Sequence, residues 1–146
     1  MEKQTFEINI NTSREKVWNV LWDDATYRQW TTPFNEGSYA ESDWKEGSKV
    51  LFLSPEGDGM VAVIAAKKPN EFMSFKHIGM IEKGVEDLHS EKVKQWAGAL
   101  ENYTLETVEG KTKLTVEMDI NEEYKEMFLE MWPKALAKLK ELAEEN

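Results

Sequence analysis

The segment 122–144 puts more apolar surface on one helix than a surface helix needs, and this constrains everything that precedes it. At 100° per residue, Tyr124, Met127, Phe128, Met131, Trp132, Ala135, Leu136, Leu139 and Leu142 fall on one arc of roughly 200°. An ordinary surface helix carries a stripe nearer about 100°, so this one requires a concave partner. Asn121 is placed to cap it, and Glu122 and Glu123 occupy the first turn, where the helix dipole favours acids. Pro133 falls on the polar arc. Its missing N–H frees a carbonyl on the wet side, and a bend there would curve the helix around its partner.

The rest of the chain reads as the material of that partner. Residues 4–10 alternate, with Phe6, Ile8 and Ile10 on one side and Thr5, Glu7 and Asn9 on the other, as in a half-buried strand. Thr12 and Glu15 have capping-box spacing, and Val17, Trp18, Val20 and Leu21 then form a helical apolar face. Asp23–Trp30 reads as a second short helix, capped by Asp23 or Asp24 and ended by Thr31-Thr32-Pro33. Six strands are predicted next, at 37–43, 48–54, 59–67, 71–80, 98–108 and 111–120. Turn residues separate them: Lys45-Glu46-Gly47, Pro55 to Gly59, Pro69-Asn70 and Glu109-Gly110. Leu114, Val116, Met118 and Ile120 alternate with polar residues, so one face of the last strand is buried and the other wet. Residues 81–97 are charged and without period; they read as a long loop with a helical turn at 90–96.

No βαβ unit, repeat or linker is present. The expected fold class is α+β: a curved seven-stranded antiparallel sheet wrapped around the C-terminal helix, with two short helices after the first strand closing one end. The 146 residues are expected to form a single domain, 1–146.

Charge and composition exclude several functions. Against 18 Lys+Arg stand 28 Asp+Glu, a net charge of −10, which argues against nucleic acid and anionic membrane surfaces. With no cysteine there is no disulfide scaffold, thiol nucleophile or Cys-ligated metal. The start, MEKQTFEINI, lacks the apolar stretch of a secretory signal, and the longest apolar run, Met60–Ala66, is too short for membrane insertion. A cytoplasmic location is the resulting expectation.

Three motifs then carry a resemblance. The runs TSREKVWNVLW (Thr12–Trp22), YRQWT (Tyr27–Thr31) and MWPKALAKLKE (Met131–Glu141), in this order and at these separations, resemble the START-like (SRPBCC) superfamily. Within it, the chain is similar to the branch related to the C-terminal domain of the activator of the heat-shock chaperone ATPase. The resemblance spans essentially the whole chain. It implies a helix-grip fold with a cavity between sheet and long helix. It also implies relatives that bind lipids, sterols or polyketides, a minority of them cyclases or hydrolases. A chaperone partner is implied only thinly, because the two-domain activator uses a further N-terminal domain for which 146 residues leave no length.

The residues make their own case for a pocket. Six Trp, six Phe and seven Met are many large, adaptable apolar groups for this length. Met60, Phe75, Tyr103, Leu105, Val116 and Met118 fall on the inferred inward face of the sheet, opposite Phe128, Met131, Trp132 and Leu136 of the helix. Trp30, Phe34, Trp44 and Trp96 lie in loops or at element ends, placed to rim an opening. The competing reading is that these side chains simply fill a core.

Strand parity puts His77 on the face of Met73 and Phe75, and Glu101 on that of Tyr103 and Leu105. A carboxylate beside an imidazole holds it in one tautomer, as a general base or a hydrogen-bond anchor. The alternatives are a satisfied buried network, or a bulge that sends His77 to solvent. Glu86, Asp87 and His89 lack metal-ligand spacing and read as a solvated loop; no metal or cofactor is expected. There is no GxSxG motif, and the glycines at 57–59 lack the Lys-Ser/Thr and helix of a phosphate loop. The reading is therefore a small hydrophobic ligand, lipid-like or aromatic, held in a cavity. No catalytic residue is assigned, and a cyclase or hydrolase built on His77 with Glu101 or Tyr103 is the alternative.

Overall fold

A computed structural model describes residues 2–145. Strand β1 (Glu2–Ile10) leads into helices α1 (Arg14–Trp22) and α2 (Asp24–Trp30). Strands β2 (Tyr39–Glu41), β3 (Lys49–Leu53), β4 (Gly59–Lys68), β5 (Phe72–Glu82) and β6 (Val85–Asp87) follow. The short helix α3 (Glu91–Lys94), strands β7 (Leu100–Val108) and β8 (Lys111–Ile120), and the long helix α4 (Glu122–Glu144) complete the chain. Every strand pairing is antiparallel, and the sheet runs β1-β8-β7-β5-β4-β3-β2 with β6 attached to β5. The expected curved sheet and long C-terminal helix are both there. No helix among the described residues is long and apolar enough to cross a membrane.

The structure shifts some details of the sequence reading. The cap of α1 is Ser13, whose hydroxyl accepts from the Lys16 N–H, and not Thr12. Thr12 instead offers its carbonyl to the Thr112 hydroxyl at 2.8 Å, tying this corner to β8. Asp23 joins the two short helices: its N–H donates to the Asn19 carbonyl and its own carbonyl accepts from Tyr27. Within the stretch expected to be a loop, β6 pairs with β5 as Met80↔Asp87, Ile81↔Glu86 and Glu82↔Val85. Lys83 and Gly84, at φ 48° and 81°, form a two-residue turn whose left-handed backbone suits a tight hairpin. A three-residue strand is too short to show a period, which hid it. The helical turn expected nearby is α3, capped by Ser90.

Two bulges bend the central strands. Val61 pairs with Gly79 but Ala62 pairs with His77, leaving Ile78 as the extra residue of β5. Ile64 pairs with Phe75 and Ala66 with Ser74, leaving Ala65 as the extra residue of β4. Such insertions bend and twist a strand locally, which curls the sheet toward α4.

The grip on α4 is uneven along its length. Trp132, Ala135, Leu136, Leu139 and Ala143 are buried, in one core with Phe6, Ile10, Val17, Leu21 and Leu114. The last turns are further pinned by Lys140 Nζ donating to the Asn9 carbonyl at 2.8 Å and the Asn11 N–H donating to Glu144 Oε2 at 2.9 Å. Toward its start, Tyr124 and Met127 are 39% and 41% exposed, and Leu129 beside the arc is exposed as well. The wide apolar arc is thus wrapped only in its second half. Pro133 sits exposed, on the wet face where it was expected.

Candidate functional site

The uncovered half of α4 overhangs a cavity of about 480 Å³. Its walls come from β3, β4, β5, β7 and β8, from α2 through the start of β2, from α3 and the residues after it, and from α4 up to Trp132. Trp132 forms the floor. Its ring packs on Phe6 at 5.8 Å, Trp30 at 6.2 Å, Phe34 at 5.0 Å and Tyr103 at 6.1 Å. Below that layer the helix is in the core.

Most of the site residues inferred from sequence meet here: Trp30, Phe34, Met60, His77, Trp96, Glu101, Tyr103, Met118, Phe128 and Trp132 all line the cavity. Three do not. Phe75 is fully buried one layer back, behind Phe52, whose ring meets it edge-on at 5.2 Å. Trp44, at φ 61°, packs on Trp22 at 5.6 Å and on Phe75 at 6.4 Å, away from the opening. Met131 is half-buried on the helix flank, one turn beyond Met127 and level with the Trp132 floor, where the cavity has closed.

Sequence reasoning missed several wall residues. Tyr27, Phe52, Met80, Tyr124 and Met127 also line the cavity. Tyr124 and Met127 were visible on the wide arc, though not as wall. Met80 was hidden by the Ile78 bulge: parity carried straight through from His77 assigns Gly79 and Ile81 to the inner face, whereas Met80, the partner of Met60, holds it. Gly79 faces the other way, where an added Cβ would run into the Leu88 side chain and the Asp87 carbonyl oxygen.

The bulge follows His77 and therefore leaves it facing inward. Glu101 pairs with Phe75 across β5 and β7, which puts His77 diagonally beside it. His77 Nε2 lies 3.0 Å from Glu101 Oε1, and the Tyr103 hydroxyl donates to Glu101 Oε2. The two side chains of the His–Glu pair are 11% and 13% exposed. His77 Nδ1 is buried with no partner among the described residues. The ring's one bond is to a carboxylate, which requires a proton on Nε2. Burial pushes the Tyr103 phenol well above its ordinary pKa, and the neighbouring Glu101 charge pushes it further. Tyr27 is raised for the same two reasons in the same order.

The remaining polar wall groups are Thr31, Asn35, Ser38, Tyr39, Ser54, Asp58, Lys92, Asp119 and Asn121. The Glu86–Asp87–His89 cluster lies elsewhere. Glu86 pairs with Lys49 at 3.0 Å, and Asp87 Oδ1 accepts from the N–H groups of His89 and Ser90.

Comparison with known proteins agrees with this architecture. A family profile described as Activator of Hsp90 ATPase homolog 1-like protein matches residues 11–144. The chain is similar to the solution structure of the Aha1 dimer from Colwellia psychrerythraea, at 22% identity and a TM-score of 0.73, covering 99% of this chain and 97% of that one. It is similar to the AHSA1-like protein from Aeromonas hydrophila at 14% identity and a TM-score of 0.70, covering 98% and 92%. It is also similar to CalU16 from Micromonospora echinospora at 15% identity and a TM-score of 0.64, covering 97% and 76%. At these identities the likeness is one of fold. A search of curated proteins returned no match.

Proposed function

The chain belongs to the Activator of Hsp90 ATPase homolog 1-like family, and from that premise we propose that it binds a small, largely apolar molecule between sheet and long helix. The observation that carries this reading is the start of α4. Tyr124 and Met127 are 39% and 41% exposed and, with Phe128 packed on Phe34, line a cavity of about 480 Å³. Apolar surface left in water is unfavourable by roughly 25 cal/mol per Å², so a ligand that covers it gains that free energy on binding. The volume lies within the range of about 300–1,000 Å³ typical of small-molecule sites, and the lining has their usual character, apolar with a few placed polar groups. In this reading Trp30, Phe34, Trp96 and Trp132 supply flat walls, and Met60, Met80 and Met118 adapt to the ligand's outline.

Native mass spectrometry of gently purified protein and titration with an apolar fluorescent probe test the proposal. The expected results are a discrete added mass lost on denaturation, a one-to-one endpoint with the probe, and a raised melting temperature. Absence of any saturable, stoichiometric binding refutes it.

A cyclase or hydrolase is the second reading, favoured by the meeting of His77, Glu101 and Tyr103 on one wall. The geometry ranks it below binding. His77 has Nε2 committed to Glu101, and Nδ1, though unpartnered among the described residues, is buried away from a bound molecule. The family description also brings in modulation of a chaperone ATPase. An assay with the host's chaperone in which the chain neither stimulates turnover nor forms a complex removes that reading.

A further inference from the structure

We infer that the cavity selects an apolar ligand bearing a hydrogen-bond donor, a hydroxyl or an ammonium, docked against Glu101, and that it discriminates against anionic amphiphiles such as fatty acids. This rests on the ligand-binding reading above and adds the polar end of the ligand to it.

The protons around Glu101 carry the inference; the Trp132 indole N–H, in the floor, is buried without a partner among the described residues and out of a ligand's reach. Tyr103 gives its hydroxyl proton to Glu101, and His77 Nε2 faces the other oxygen of the same carboxylate. Thr31 gives its hydroxyl proton to the Tyr27 carbonyl at 2.7 Å, and Ser38 gives its own to the Asn35 carbonyl at 2.6 Å. Tyr103, Thr31 and Ser38 have each turned a proton into the protein, and what they have left to offer a ligand is lone pairs. Each Glu101 oxygen has a second acceptor position after its one bond is made. Glu101 is therefore an acceptor, and a ligand group complementary to it must bring the proton.

Charge points the same way. Besides the His77 imidazole paired with Glu101, the lining carries three carboxylates, Glu101, Asp58 and Asp119, and one lysine, the exposed Lys92. Asp58 and Asp119 are held in place by the backbone N–H groups of Lys83 at 2.9 Å and Leu100 at 3.0 Å. A ligand carboxylate seated deep in the cavity would face the Glu101 carboxylate across an apolar, weakly screening space, whereas an ammonium there would be attracted.

Four probes with one naphthalene body test this by calorimetric titration of the full chain at pH 7: 1-naphthylmethylamine, 1-naphthalenemethanol, 1-naphthoic acid and 1-methylnaphthalene. The amine, the alcohol or both should bind at least about tenfold more tightly than the acid, the scale of one hydrogen bond to a charged group. Glu101→Gln should cut the amine's advantage over 1-methylnaphthalene by about tenfold. Which of amine and alcohol is tighter identifies the donor. If the acid binds as tightly as both donors while 1-methylnaphthalene binds normally, the cavity reading stands and the selectivity falls. If no probe binds, both fall. Should Glu101→Gln not fold, the ranking on the unaltered chain decides alone.

Discussion

Leu139→Ala and Met127→Ala remove apolar side chains from the same arc of α4, yet their costs should differ severalfold. Leu139 is 0% exposed in the main core, where β1, α1 and α2 hold the helix. Truncating a side chain so enclosed loses its transfer free energy and leaves a void that close-packed neighbours fill only partly, for about 3 kcal/mol. For a chain of this size that lowers the melting temperature by about 10 °C. Met127 is 41% exposed and turned toward the cavity. The burial it forfeits is worth about 1 kcal/mol at most, and alanine's higher helix propensity returns a few tenths. Its cost in stability should stay under about 1 kcal/mol, while the affinity for an apolar probe drops. Urea denaturation, with the slope checked for constancy across variants, measures both costs. If Met127→Ala destabilises as much as Leu139→Ala, the start of α4 is packed in solution, and the reasoning from an uncovered arc to a ligand cavity is wrong.

Two further outcomes are expected. Ser13→Ala should cost about 1 kcal/mol through loss of the bond to the Lys16 N–H, and Thr12→Ala much less, since the bond at Thr12 uses its backbone carbonyl; equal melting temperatures for the two variants would refute this capping assignment. Tyr27 and Tyr103 should stay unionised in the folded chain beyond their ordinary value of 10.0, so neither Tyr27→Phe nor Tyr103→Phe should alter the native phenolate absorbance titration. Their folded pKa lies above the unfolded one, so above pH 10 the unfolded chain binds fewer protons and stability falls as pH rises. A native chain whose titration loses a phenol on either substitution near pH 10 would contradict the burial given to these rings.

Much of the fold was legible in the residues because local periodicity reports it directly. The alternation of Leu114, Val116, Met118 and Ile120 announced β8, and the helical recurrence from Tyr124 to Leu142 announced α4. Parity on β7 alone placed Glu101 and Tyr103 on one face, and parity on β5 placed His77 with them, because the bulge falls one residue later at Ile78. A bulge one residue earlier, with the same composition, would have turned His77 outward.

Periodicity says which residues share a face but not what stands opposite. The sequence by itself determined that α4 has a face too wide for a surface helix and, by strand parity, offered an imidazole, a carboxylate and a phenol for the inner side of the sheet. Tertiary structure decided which half of that face meets protein and which meets a cavity. It decided that Phe52 and not Phe75 reaches the wall, and that Met80 replaces Gly79 beyond the bulge. The reason is that the separation between sheet and helix is set by bends at Ala65 and Ile78 and by the layer of rings around Trp132. These are long-range distances, and no local repeat in the chain encodes them.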